Sequence, residues 1–309
     1  MTQKIQVGNA PCSWGTLEFE GFNQNPIGYN QMLDELVETG YTATELGDWG
    51  FMPTVPALLR KEIVDRDLRL LGAFVQAPFS LAGSREKAIG NVMRVAELLQ
   101  AAFADHNPYI ILSDDNATVP IRTKNAGRVT GDMELTNDDW TVFTTNVQEI
   151  ARQVQGETGL RTIFHHHSAG YIETPDEISK FLDKTDPSLI NLVFDTGHFV
   201  FGSGISEDNN ILAALDQFAE RISYFHFKDL DPVVAKKASS EEWDYFESLK
   251  HGIFCELGKG CIDFSGVVHW LNKHNYEGWV LVEQDVLPGM GDPKLCAQRN
   301  REFLRSIGL

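Results

Sequence analysis

The 309-residue chain is poor in cysteine, in basic residues and in long apolar runs, and each shortage removes a class of function. Its four cysteines, Cys12, Cys255, Cys261 and Cys296, are scattered with no Cys-x-x-Cys pair. They read as free, reduced thiols of a cytoplasmic protein, not as a disulfide framework. Lys and Arg number 26 against 44 Asp and Glu, a formal charge of −18. That balance argues against a nucleic-acid backbone or an anionic membrane surface as partner, since both ask for a basic face. A small neutral molecule or a cation fits better. No segment is apolar enough to span a membrane, and the start, MTQKIQVGNAPCSWG, lacks the apolar core of a signal peptide. No Gly-x-Gly-x-x-Gly or phosphate-binding loop follows the first apolar run, which disfavours a doubly wound nucleotide-binding sheet. With no linker, charge block or repeat, residues 1–309 read as a single domain.

What the chain does have is alternation. Candidate strands fall at 4–8, 41–46, 68–75, 108–113, 160–167, 190–195, 222–227 and 278–283. Amphipathic stretches separate them, among them GYNQMLDELVETG, SREKAIGNVMRVAELLQAAFA behind a Ser cap, and NDDWTVFTTNVQEIARQVQ behind an Asn/Asp cap. In TPDEISKFLDK, Thr174, Pro175 and Glu177 make a capping box. Eight strands interleaved with helices predict an α/β fold, the (β/α)8 TIM barrel. Residues 114–137 and 230–259 are long connections with little periodicity. Both leave the C-terminal ends of strands, where such barrels place active-site loops.

Those strand ends collect titratable groups: Glu45 on the second, His165 and His167 on the fifth, Asp195 with His198 beyond it on the sixth, His226, Lys228 and Asp229 on the seventh, and Glu283 on the eighth. Groups of this kind at a barrel mouth cost desolvation unless paired or ligated. Carboxylate plus imidazole with no cysteine suits Mn²⁺, Co²⁺, Fe²⁺ or Zn²⁺. Asp195, His226 and Glu283 are the candidate ligands from three consecutive strands. In FHHHSAG side chains alternate faces, so His165 and His167 share one side and His166 takes the other. The fourth ligand is expected to be His165, with His167 as the alternative and either His167 or His198 beside the substrate. Lys228 should face the same way as His226. Beside a dication its pKa is expected to fall, which suits a general base or a proton donor. Asp195 has a plainer reading as the cap of the next turn, and Lys228 as a surface partner of Asp229. Glu45 is a candidate for a substrate hydroxyl, and Trp14 and Trp49 follow strands 1 and 2, where they stack on a polyol ring or fill core.

Taken in order, GNAPCSWG, GYTATELGDWGF, LRLLGAFV, FHHHSAGYIETPDE, FDTGH, FHFKD, GKGCIDF and GWVLVEQD resemble the inosose (2-keto-myo-inositol) dehydratases, within the xylose isomerase-like barrel superfamily of sugar isomerases and epimerases. The resemblance covers essentially the whole chain. It implies a metal set drawn from strands 5 to 8, Glu, Asp, His and Glu in the superfamily. Here His165 stands for the first Glu, as in the dehydratases, followed by Asp195, His226 and Glu283. It also implies a hydro-lyase of inositol catabolism acting on a small keto-polyol with Mn²⁺ or Co²⁺ ahead of Zn²⁺ or Fe²⁺. Proton transfers would be shared among Lys228, His167, His198 and Glu283, and Glu173 lies where substrate loops are expected. An isomerase or epimerase acting on a keto-sugar is the competing reading. A homo-oligomer is compatible with either.

Overall fold

Runs of Ile, Val, Leu and Phe that are buried on both faces make strands of the kind a covered parallel sheet needs. In this computed structural model, which describes residues 5–15, 27–81, 83–204, 211–287 and 289–309, they form β1 (Ile5–Asn9), β2 (Ala43–Thr44), β3 (Gly72–Ala77), β4 (Tyr109–Asp114), β5 (Thr162–His165), β6 (Ile190–Asp195), β7 (Ile222–Phe227) and β8 (Gly278–Val282). Lys4, placed by sequence in the first strand, lies outside the described residues. Seven strands pair in parallel in the order β1-β8-β7-β6-β5-β4-β3. The Thr42 N–H donates to the Val7 carbonyl at 3.3 Å and the Leu46 N–H to the Gly72 carbonyl at 3.0 Å, so β2 joins β1 to β3 and closes the ring. The barrel expected from the alternation is therefore present.

Three strands depart from expectation, the fifth in covering only Thr162–His165 of the run 160–167. β2 is shorter than the run 41–46, because the chain leaves the ladder and turns through Gly47 at φ +72°. The run 68–75 is divided into Arg69–Leu70 and β3. It changes partner at Leu71, whose N–H bonds the Thr44 carbonyl and whose own carbonyl accepts from Tyr109.

Helices pack around the barrel, including Arg85–Phe103, Asn137–Thr158, Pro175–Asp183, Phe264–Lys273 and Pro293–Ser306. The capping box at Thr174 forms as read. Thr136, not the Asn/Asp pair after it, caps Asn137–Thr158 by accepting from the Asp139 N–H. Ser84 stands at its cap position, but its hydroxyl donates to the Pro78 and Leu81 carbonyls instead. The long connections are partly helical. Residues 114–137 hold Pro120–Lys124, and residues 230–259 hold Pro232–Ser240 and Tyr245–Lys250. The first is fastened by Arg122, which pairs with Glu177 at 2.7 Å with both side chains fully buried. Among the described residues no helix is long and apolar enough to cross a membrane.

One hydrophobic core lies between strands and helices. A second fills the barrel itself and includes Ala43, Leu71, Ile111, Ile163, Val193, Tyr224 and Leu281. That inner layer sets the height of everything above it.

Candidate metal centre and active-site cavity

Side chains of a strand repeat their direction every second residue, so the layer above the inner core is fixed by adding two. From Ile163, Val193, Tyr224 and Leu281 the rule leads to His165, Asp195, His226 and Glu283. From Ala43 it leads to Glu45. One ligand atom from each of the first four lies within 4.8 Å of the others. His165 Nε2 is 3.7 Å from Asp195 Oδ2, His226 Nδ1 is 4.0 Å from the same oxygen, and His226 Nδ1 is 3.1 Å from Glu283 Oε1. Bonds of about 2.0–2.2 Å to a shared ion require ligand atoms spaced on this scale.

The hydrogen bonds leave the right atoms over. Asp195 does cap the next turn, since its Oδ1 accepts from the His198 N–H at 2.7 Å, but Oδ2 is buried and makes no hydrogen bond. The capping reading from sequence is thus seen on one oxygen, and the other oxygen is left facing the cluster. His226 Nε2 lies 2.9 Å from Glu45 Oε1, while its Nδ1 is buried with no hydrogen bond. With an ion on Nδ1, a carboxylate on the far nitrogen would hold the tautomer whose lone pair faces the ion and would raise the basicity of that nitrogen. Two carboxylates and two imidazoles aimed at one point fit a divalent ion.

Without compensation this arrangement is electrostatically strained. Burial lowers the pKa of His165 well below its ordinary value, and the nearby His226 pushes it the same way. Burial works against a charge on His226 too, but Glu283 and Glu45 lift it to about 10. Burial raises Asp195, whereas Glu283, despite its burial, is held well below the usual range by His226 and Lys228.

A further step of two gives His167, Lys228 and Asp285, and these line a cavity over the centre together with Glu45, Phe74 and Tyr245. Lys228 Nζ is 3.2 Å from Glu283 Oε2, 3.3 Å from each Asp285 oxygen and 3.3 Å from His198 Nε2. Burial opposes its charge, but Asp285, Glu283 and Asp195 outweigh it and raise its pKa well above the ordinary value. Three carboxylates thus surround the ammonium and hold its charge. Its partner is not Asp229, which instead accepts from the backbone N–H groups of Leu230, Gly258, Gly260 and Ile262 and shapes the following loop. Gly197 makes room for the lysine: a Cβ there would lie 2.7 Å from Lys228 Cγ.

The remaining residues singled out by sequence are dispersed. His166 faces away from the centre and packs against Phe194 and Phe199. His198 does not line the cavity. It stacks behind His167 with ring centroids 3.8 Å apart, so it supports the groups that do. Trp14 is core, 1% exposed, with its indole N–H donating to Glu35. Trp49 is 38% exposed under the guanidinium of Arg94 and lines a neighbouring groove instead. Glu173 is buried away from the cavity, accepting from the Gly127 and Ala169 N–H groups, and burial lifts its pKa to about 7. Asp285 was missed by the sequence reading, although GWVLVEQD carried the signal in its spacing of two from Glu283.

A family model described as xylose isomerase-like TIM barrel matches residues 33–307. The chain belongs to that family. Within it, the chain is 26% identical over 313 residues to the inosose dehydratase of Clostridium beijerinckii, covering 98% of this chain and 97% of the relative. It is 30% identical to the inosose dehydratase of Bacillus licheniformis, covering 97% and 95%. Among solved structures, the 3-keto-D-glucoside 4-epimerase of E. coli superposes with a TM-score of 0.66 at 15% identity, over 98% of this chain and 99% of that one. The last likeness bears on the fold alone. The xylose isomerase-like architecture accounts for the position of the centre, at the C-terminal rim of the strands.

Proposed function

We propose that the chain is a metal-dependent hydro-lyase that removes water from a cyclic keto-polyol such as 2-keto-myo-inositol. One observation carries the reading: a two-imidazole, two-carboxylate set sits directly beneath a cavity that presents His167 and Lys228. The relatives named inosose dehydratase agree with it. His165, Asp195, His226 and Glu283 would hold the ion, Mn²⁺ or Co²⁺ for this nitrogen and oxygen set. Bound there, the ion contributes Lewis-acid stabilisation of the negative charge that builds on the ketone oxygen.

The chain's own groups handle the protons. The reaction breaks a C–H bond next to the ketone and a C–O bond one carbon further on, forms a C=C bond, and releases water. His167 Nδ1 lies 2.7 Å from the Ser168 carbonyl, to which it can only donate, so the neutral ring keeps its lone pair on Nε2. We assign proton removal to His167. Lys228, held by Asp285, gives a proton to the departing hydroxyl. Glu45 and Asp285, both lining the cavity, are suited to accept hydrogen bonds from ring hydroxyls.

The test is metal analysis followed by incubation with 2-keto-myo-inositol under ultraviolet monitoring and mass spectrometry. Loss of water with an absorbing product is expected, and Asp195→Ala should lose both the metal and turnover. A product of unchanged mass would replace the dehydratase with an epimerase, and full activity in metal-free protein would end the metal-dependent reading.

A further inference from the structure

A second cavity opens at the other end of the barrel, where the strands begin. Tyr109 starts β4, Gly278 starts β8 and Arg161 directly precedes β5, and all three line it. Its deepest residues, Leu71 and Tyr224, belong to the inner core layer, so one layer of side chains separates it from the metal centre. Tyr224 spans that layer, its ring standing edge-on to His226 with centroids 5.2 Å apart.

The chemistry of this cavity differs from that of the rest of the molecule. In a chain of net charge −18 it gathers Arg69 and Arg161, and among the described residues neither has a carboxylate within ion-pair distance. Arg69 donates to the His106 carbonyl, and Arg161 lies 4.6 Å over the Tyr109 ring. Glu277 stands on the same rim but has a partner of its own. Tyr276 and Trp279 also line it, tied together by the Tyr276 hydroxyl donating to the Trp279 carbonyl at 2.8 Å. Guanidinium groups recognise the oxygens of phosphate or carboxylate, and flat aromatic walls take a ring.

We infer that this lower cavity binds a small ring-bearing oxyanion, an aryl or cyclic phosphate or carboxylate, with the anionic group on Arg161 and the ring against Trp279. The site is separate from the catalytic cavity and does not depend on the reaction proposed for it.

Calorimetric titration of the full chain with phenyl phosphate, and separately with inorganic phosphate, tests this. Expected are one saturable site and tighter binding of phenyl phosphate. Arg161→Ala should weaken both ligands roughly tenfold or more while leaving turnover intact. Asp195→Ala, altered at the opposite end of the barrel, should bind both as the parent does. The inference is overturned if there is no saturable binding, if Arg161→Ala binds unchanged, or if Asp195→Ala loses binding, since that would move the anion to the upper cavity. Equal affinity for the two probes would remove the ring from the assignment.

Discussion

Glu45→Gln isolates the role of one hydrogen bond behind a proposed metal ligand. Glu45 Oε1 sits 2.9 Å from His226 Nε2, on the side of the ring away from the ligand cluster. The substitution keeps size and shape but replaces a charged acceptor with an amide. The amide must present its oxygen to keep the hydrogen bond, and it polarises the imidazole less. Removing a carboxylate partner of this kind typically costs 10- to 100-fold in metal affinity, or about 1.4–2.7 kcal/mol. Because Glu45 also lines the cavity, turnover alone would confuse ion binding with substrate binding. The assay is therefore titration of chelator-treated protein with Mn²⁺ or Co²⁺ in the absence of substrate, with Co²⁺ absorption reporting on the ligand field. Parental affinity and an unchanged Co²⁺ spectrum in Glu45→Gln would refute the argument. The carboxylate would then have no part in holding His226.

Three further outcomes are expected. Gly197→Ala should keep its metal yet lose roughly tenfold or more in kcat, because the new methyl displaces Lys228 from above the centre, and metal content measured beside kinetics checks it. Arg122→Ala should destabilise the fold by about 3–5 kcal/mol in denaturant titration, because it strands the buried Glu177 carboxylate; a loss under 1 kcal/mol would contradict the importance of that pair. Glu173 carries its proton up to about pH 7 in the fold but releases it near the ordinary value of 4.5 when unfolded. Stability should thus fall as pH rises between those values, by up to about 1.4 kcal/mol per unit for this group, and level off above. Glu173→Gln should flatten that slope in unfolding midpoints measured from pH 4.5 to 8.

The barrel was legible because apolar runs and helical stretches alternate along the whole chain, and parallel strands buried on both faces leave that trace plainly. The cluster was legible because a period of two and a known rim are enough to align His165, Asp195, His226 and Glu283. What was not legible depended on where the backbone goes after a strand ends. Asp285 continues the alternation of β8 although the ladder stops at Val282. The loop after β1 folds Trp14 into the core, and no local pattern distinguishes a buried indole from a sugar platform. For Lys228, proximity to Asp229 in sequence was a poor guide, since four backbone amides already claim that carboxylate.

The apolar layer of Ile163, Val193, Tyr224 and Leu281 has a consequence for traffic. It stoppers the barrel from below, so the proposed ion and substrate would have to come and go through the same upper doorway. A seated substrate would then act as a cork over the metal. Stripping by a chelator should slow in proportion to occupancy, and an enzyme kept busy should hold its ion longer than one at rest.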